Sequence, residues 1–321
     1  MQYTTLGKTG LRVSVAGLGS GGFSKIGQGT GRSEAESIAI VHQALDLGIN
    51  FIDTAAAYGT EVIIGKALVA RNRDDVVIST KASVGRGADQ KSARDVAASL
   101  DQSLTNLGVD CIDVFHLHGV PPDGYSHAVD TLVPALLKER EKGKFRHLGI
   151  TEVPPLDPYH EPITKAVQTD LFEVIMIAYH MLHQSAQKIF TTTRKKGIGV
   201  LNMFAVRVLF SEKGRLKRVV DELAKEGRLP AELMNEPDPL GFLIHDAGAR
   251  NIIDAAYRYC RHTEGTDVIL FGTGNPDHVK ANIDSILAPP LPDTDVKELE
   301  SLFGELLDVG LDAPGNVKQL R

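Results

Sequence analysis

Eight short apolar runs recur along this chain, each separated from the next by segments with helical spacing. That rhythm restricts the fold more than any single residue does. The runs are VAGLG (15–19), NFID (50–53), DVVISTK (75–81), CIDVFHLH (111–118), KFRHLGI (144–150), FEVIMIAY (172–179), GVLNMF (199–204) and DVILFG (267–272). SEAESIAIVHQALDLG carries Ser33 as an N-cap with Glu36 three residues on, the pattern of a capping box. SARDVAASLDQSLTNLG is amphipathic and stops at a glycine. HAVDTLVPALLKEREKG reads as a helix despite Pro134. Strands alternating with helices form parallel βαβ units, and eight such units close into a (β/α)8 barrel.

QYTTL and LRVSV, joined by a Gly-containing turn, are expected to form a β-hairpin ahead of the barrel. The rhythm breaks at residues 211–250, a long loop region with one helix near 215–226. DHVKANIDSIL and VKELESLFGELL read as terminal helices. No linker or low-complexity stretch divides the 321 residues, so one barrel domain over 1–321 is expected. The net charge of −6 with scattered Lys and Arg argues against nucleic-acid and membrane partners. MQYTTLGKTGLRVS lacks the apolar core of a signal peptide. Cys111 and Cys260 form no CxxC and read as small core residues, which fits a reduced, cytoplasmic setting.

GLGSGG (17–22) matches the G-x-G-x-x-G pattern of a dinucleotide-binding turn. That pattern needs a helix starting within it, so that backbone N–H groups meet the pyrophosphate. Here FSKIGQGTG follows and the first good cap is Ser33. The stretch is therefore expected to be a loop at the barrel mouth.

In a parallel barrel the chemistry gathers at the C-terminal strand ends. Asp53 ends the second run and Tyr58 follows it; Lys81 ends the third and His118 the fourth. Strands lie about 4.8 Å apart, so these groups can converge. A phenol holds its proton at neutral pH and can serve as a general acid once its pKa falls. An adjacent ammonium lowers it, and a carboxylate steadies the ammonium. Asp53 would hold Lys81, Lys81 would tune Tyr58, and His118 would hydrogen-bond the same substrate oxygen. A hydride from a nicotinamide would complete a carbonyl reduction. Two other readings stand beside this one. His116 and His118 in FHLH share a strand face and could hold a metal for hydrolysis or isomerisation, with His180 and His183 at a ligand-like spacing. A non-catalytic nucleotide-binding scaffold is the third.

At QYTTLGKTGLRVSVAGLG, NFIDTAAAYG, VVISTKA, GVDCIDVFHLHG and GKFRHLGIT, with a looser echo in FGTGNPDHVKANI, the chain resembles the aldo-keto reductases. The resemblance implies a metal-free (β/α)8 barrel that interconverts aldehydes or ketones with alcohols using NAD(P)H, and the moderately polar loops, with Tyr125, His127, Tyr159 and His160, are compatible with a sugar substrate. It places the catalytic set on Asp53, Tyr58, Lys81 and His118. It implies cofactor contacts at Gly21, Gly22, Thr151, Glu152, Met176, Met203, Gly272, Thr273, Asn275, His278 and Asn282. Several depart from the family pattern. Thr151-Glu152 replaces Ser-Asn, Met176 a Gln, and Met203 the aromatic ring beside the nicotinamide. Gly272 and His278 replace a Lys and an Arg of the 2′-phosphate site. The resemblance implies NADPH, and the loss of two cations leads us to expect that NADH is tolerated. Substrate identity and oligomeric state are not written in the sequence.

Overall fold

The computed structural model describes residues 1–69 and 71–312. The hairpin pairs β1 (Tyr3–Thr5) with β2 (Arg12–Ser14) in antiparallel register. Eight parallel strands follow: β3 (Ala16–Gly19), β4 (Phe51–Asp53), β5 (Val77–Ser83), β6 (Ile112–Val120), β7 (Phe145–Glu152), β8 (Val174–Ala178), β9 (Gly199–Met203) and β10 (Val268–Phe271). β10 hydrogen-bonds back to β3, so the sheet closes into the expected barrel.

Alternation along the strands sorts the apolar residues into two sets. The inward set, Phe51, Val77, Val114, Val174, Leu201 and Val268, packs with Leu6 and Val13 of the hairpin. The hairpin thus plugs the N-terminal end of the barrel. The outward set, including Ile52, Ile78, Phe115 and Ile150, packs under the helices in the larger core.

The helices start and stop where local chemistry dictates. Ser33 and Ser92 close capping boxes with Glu36 and Asp95, opening the helices Glu34–Asp46 and Ala93–Leu107. Gly108, at φ 66°, ends the second of these in the left-handed region. Pro134 is accommodated by a π-helical turn over Ala128–Leu132, after which the α-helix resumes at Val133–Glu141. The wider turn carries the chain past a residue that has no N–H to give. Between 211 and 250 lie the expected helix, Arg215–Lys225, and two short 3-10 turns, Ala231–Asn235 and Gly241–Leu243. The last helix, Asp293–Phe303, stops short of the expected Glu305-Leu306-Leu307. Cys260 is buried and Cys111 half-buried, both as free thiols. Among the described residues no helix is long and apolar enough to cross a membrane.

Candidate active site

Register brings the four expected residues together. Asp53 lies beside Ser79, Lys81 beside His116, and Ser83 beside His118. Period-two alternation turns Asp53, Ser79, Lys81, His116 and His118 toward the barrel axis.

Lys81 is fully buried, and its Nζ donates to both Asp53 carboxylate oxygens at 2.8 and 2.7 Å and to the Thr54 carbonyl at 2.7 Å. Ser79 Oγ also donates to Asp53 at 2.8 Å, and His116 Nε2 contacts Ser79 Oγ at 3.1 Å. Burial alone would drive Lys81 toward the neutral amine. The Asp53 carboxylate and Tyr58 together outweigh it and hold the lysine pKa above its ordinary value.

Tyr58 sits directly above. Lys81 Nζ is 5.0 Å from the centroid of its ring, and the His118 ring meets it edge-on at 5.5 Å. The Tyr58 pKa does not fall on balance. Burial raises it, Lys81 opposes this, and burial prevails, so the phenol keeps its proton at neutral pH. His118 is pulled down to about 3 by burial and then by Lys81. It is a neutral imidazole, able to donate one hydrogen bond but carrying no charge.

Next to His118 the pairing of β6 with β7 slips between Leu117 and Val120, where Gly119 takes φ 66°. The N–H freed by this bulge donates to Thr151 Oγ1 at 2.8 Å. Thr151 therefore anchors the backbone that presents His118. Glu152 shares the outward face of β7 with Leu148 and Ile150. Its carboxylate is buried against His160 Nδ1 at 2.7 Å and accepts the Ala178 N–H at 2.8 Å.

A cavity of about 1080 Å³ opens over Asp53 and Tyr58. Gly21, Gly22, Met176, Met203, Gly272, Thr273, Asn275, His278 and Asn282 all line it; Thr151 and Glu152 do not. Gly21 lies flat on the phenol, where a Cβ would come within 2.5 Å of the ring. GLGSGG opens no helix: a 3-10 turn, Lys25–Thr30, follows it, and the first α-helix begins at Glu34. Asn275 N-caps the helix Pro276–Ile286 at the far wall.

The wall also holds residues that the sequence reading passed over. Arg32 hydrogen-bonds the Gly274 carbonyl and Glu36. Arg207, four residues beyond β9, lies with its guanidinium 3.7 Å from the centroid of the Phe204 ring and 5.1 Å from that of Phe23. Phe204 has φ 73°, a left-handed backbone that an L-residue adopts at a cost of about 1–3 kcal/mol. An arginine in a loop shortly after a barrel strand was the one signal in the sequence for this feature.

His116 engages Ser79 through Nε2, and its buried Nδ1 has no hydrogen-bond partner among the described residues. Among the described residues no group of three or more His, Cys, Asp or Glu could hold one.

The profile of the Aldo/keto reductase family matches residues 17–303. The chain belongs to the aldo/keto reductase family. This aldo/keto reductase is 31% identical over 222 residues to L-galactose dehydrogenase from Arabidopsis thaliana, covering 67% of this chain and 68% of that protein. Its backbone is similar to that of the aldo-keto reductase AKR11C1 from Bacillus halodurans. In the holo form the TM-score is 0.72 at 23% identity, covering 97% of this chain and 100% of the other. The apo form gives 0.69 over the same shares. The aldo/keto reductase is accordingly an oxidoreductase enzyme.

Proposed function

We propose that the enzyme interconverts a small carbonyl compound and its alcohol with a nicotinamide cofactor, and that Tyr58 is the proton donor and acceptor. The observation that carries this is the Tyr58 phenol, held over a buried Lys81–Asp53 ion pair at the base of a large cavity. The bound nicotinamide would supply the hydride to the carbonyl carbon. Everything else is done by the chain's own groups. Tyr58 gives its proton to the carbonyl oxygen, and the Lys81 ammonium stabilises the phenolate left behind. Asp53 keeps Lys81 charged, and neutral His118 donates a hydrogen bond toward the same oxygen.

The residues fit such a cofactor. The cavity exceeds the roughly 300–1,000 Å³ usual for small-molecule sites, and Met176 and Met203 offer an apolar floor for a flat ring. Gly272 and His278 bring no fixed cation, and Arg32, which reaches the Gly274 carbonyl, is already paired with Glu36, so NADH is accepted along with NADPH. Binding of NADPH at least tenfold tighter than NADH at moderate ionic strength would overturn that preference. The named relative suggests hydroxylated substrates. The test follows nicotinamide absorbance with each cofactor against L-galactose, other aldoses and simple aldehydes, in both directions. No cofactor binding and no turnover across that panel would remove the reading.

A further inference from the structure

Arg207 is buried, only 8% exposed, and among the described residues its Nε and Nη2 atoms have no hydrogen-bond partner. These two nitrogens form one edge of the guanidinium, with their N–H bonds parallel and in the plane of the group. The rings of Phe204 and Phe23 lie over the guanidinium, and ring contacts of this kind do not consume in-plane donors. The residue lines the same cavity as Tyr58. Asp312, the carboxylate that acts on Arg207 from a distance, is engaged by Arg215 at 3.0 Å. Burial lowers the Arg207 pKa to about 10, still well above neutral, so the group remains a cation. A buried cation whose two-donor edge meets no acceptor among the described residues is costly to the fold and needs a reason.

We propose that the Nε–Nη2 edge of Arg207 is a bidentate oxyanion-binding site in the cavity wall. Two sources share that chemistry: the pyrophosphate of a dinucleotide, and a carboxylate carried by an acidic sugar. Parallel N–H groups match either one. The pyrophosphate is the favoured source. A dinucleotide carries it between its two bases, and Arg207 follows Met203 in the chain on the wall that continues to His278 and Asn282. The assignment rests on the reading of the cavity as a nicotinamide site only for the choice of source, not for the anion site itself.

The test uses Arg207→Met, which keeps a long stem against Phe204, and Arg207→Lys, which keeps charge but loses the fork. Calorimetry measures binding of inorganic pyrophosphate, ADP-ribose, adenosine and glucuronate to the full chain. If pyrophosphate is the ligand, Arg207→Met weakens ADP-ribose at least tenfold and abolishes the pyrophosphate response. Adenosine binding stays within twofold, and Arg207→Lys restores only part of the loss. Loss of glucuronate binding alone would assign the site to a substrate carboxylate. The thermal midpoint of Arg207→Met should match or exceed wild type, because a buried charge that meets no acceptor among the described residues has been removed. A merely structural role predicts a lower midpoint instead. The proposal is overturned if wild type binds none of the anions, or if Arg207→Met binds them all unchanged. Wild type that responds to pyrophosphate but to no nicotinamide cofactor would sink the functional reading and leave this one standing.

Discussion

Replacing Asp53 by asparagine leaves Lys81 as a lone ammonium in a site with no solvent exposure. The Thr54 carbonyl still accepts one of its hydrogen bonds, but no charge opposes it. Removing one member of a buried ion pair costs about 3–5 kcal/mol, a large part of the roughly 5–15 kcal/mol that holds a typical protein folded. The sign with pH separates this cause from general disruption. In wild type the folded-state pKa of Lys81 is raised, so its contribution is complete below the ordinary lysine range and is lost as pH climbs through the folded value. In Asp53→Asn only Tyr58 still opposes burial, the largest of the influences, and that pKa is depressed. The unfolded chain then binds the proton more tightly, and the variant gains stability as pH rises toward the ordinary lysine range. Urea unfolding at pH 7 and pH 9 would read both effects. The double variant Asp53→Asn/Lys81→Met should recover at least half of the loss at pH 7. The reasoning fails if the single variant lies within about 1 kcal/mol of wild type, where the median surface pair would fall. It fails equally if the double variant is no more stable than the single.

Tyr58→Phe should lower turnover by about 10²–10⁴ while leaving the cofactor dissociation constant within twofold by fluorescence quenching; full activity would remove Tyr58 from the mechanism. Since His118 is neutral down to about pH 3, kcat/KM should show no inflection between pH 5 and 8 that disappears in His118→Gln, and finding one would contradict the assignment. Gly21→Ala places a methyl group within 2.5 Å of the Tyr58 ring without backbone strain. It should cut kcat by about 10–100-fold at a nearly unchanged melting temperature, and unaltered kinetics would show that the phenol need not stay where it is. Thr151→Val leaves the Gly119 N–H of the bulge without its acceptor, at a cost of about 1–3 kcal/mol. Activity should fall with stability if the bulge positions His118, and a stability loss with unaltered kcat would argue that it does not.

The barrel was legible because its period is repeated eight times and the caps at Ser33 and Ser92 carry their own chemistry. Asp53, Tyr58, Lys81 and His118 were legible because strand ends fix where side chains converge. What escaped depended on depth and direction. The sequence puts Lys81 near Tyr58 and so suggests an acidified phenol, but it does not say how deeply the ring is buried, and burial prevails. Thr151 and Glu152 are adjacent in the chain yet face opposite sides of β7, one toward a bulge that no residue pattern announces and the other toward His160. Arg207 belongs to an irregular loop without periodicity, so only the coordinates bring its guanidinium to the rings of Phe204 and Phe23.

Leu6 and Val13 make the barrel a test tube rather than a pipe. Whatever fills the mouth also stoppers it, leaving the lysine ammonium and its carboxylate in a dry chamber. If Tyr58 is the proton donor we propose, the proton it spends would come back through the door by which the product left, which couples resetting of the acid to emptying of the vessel.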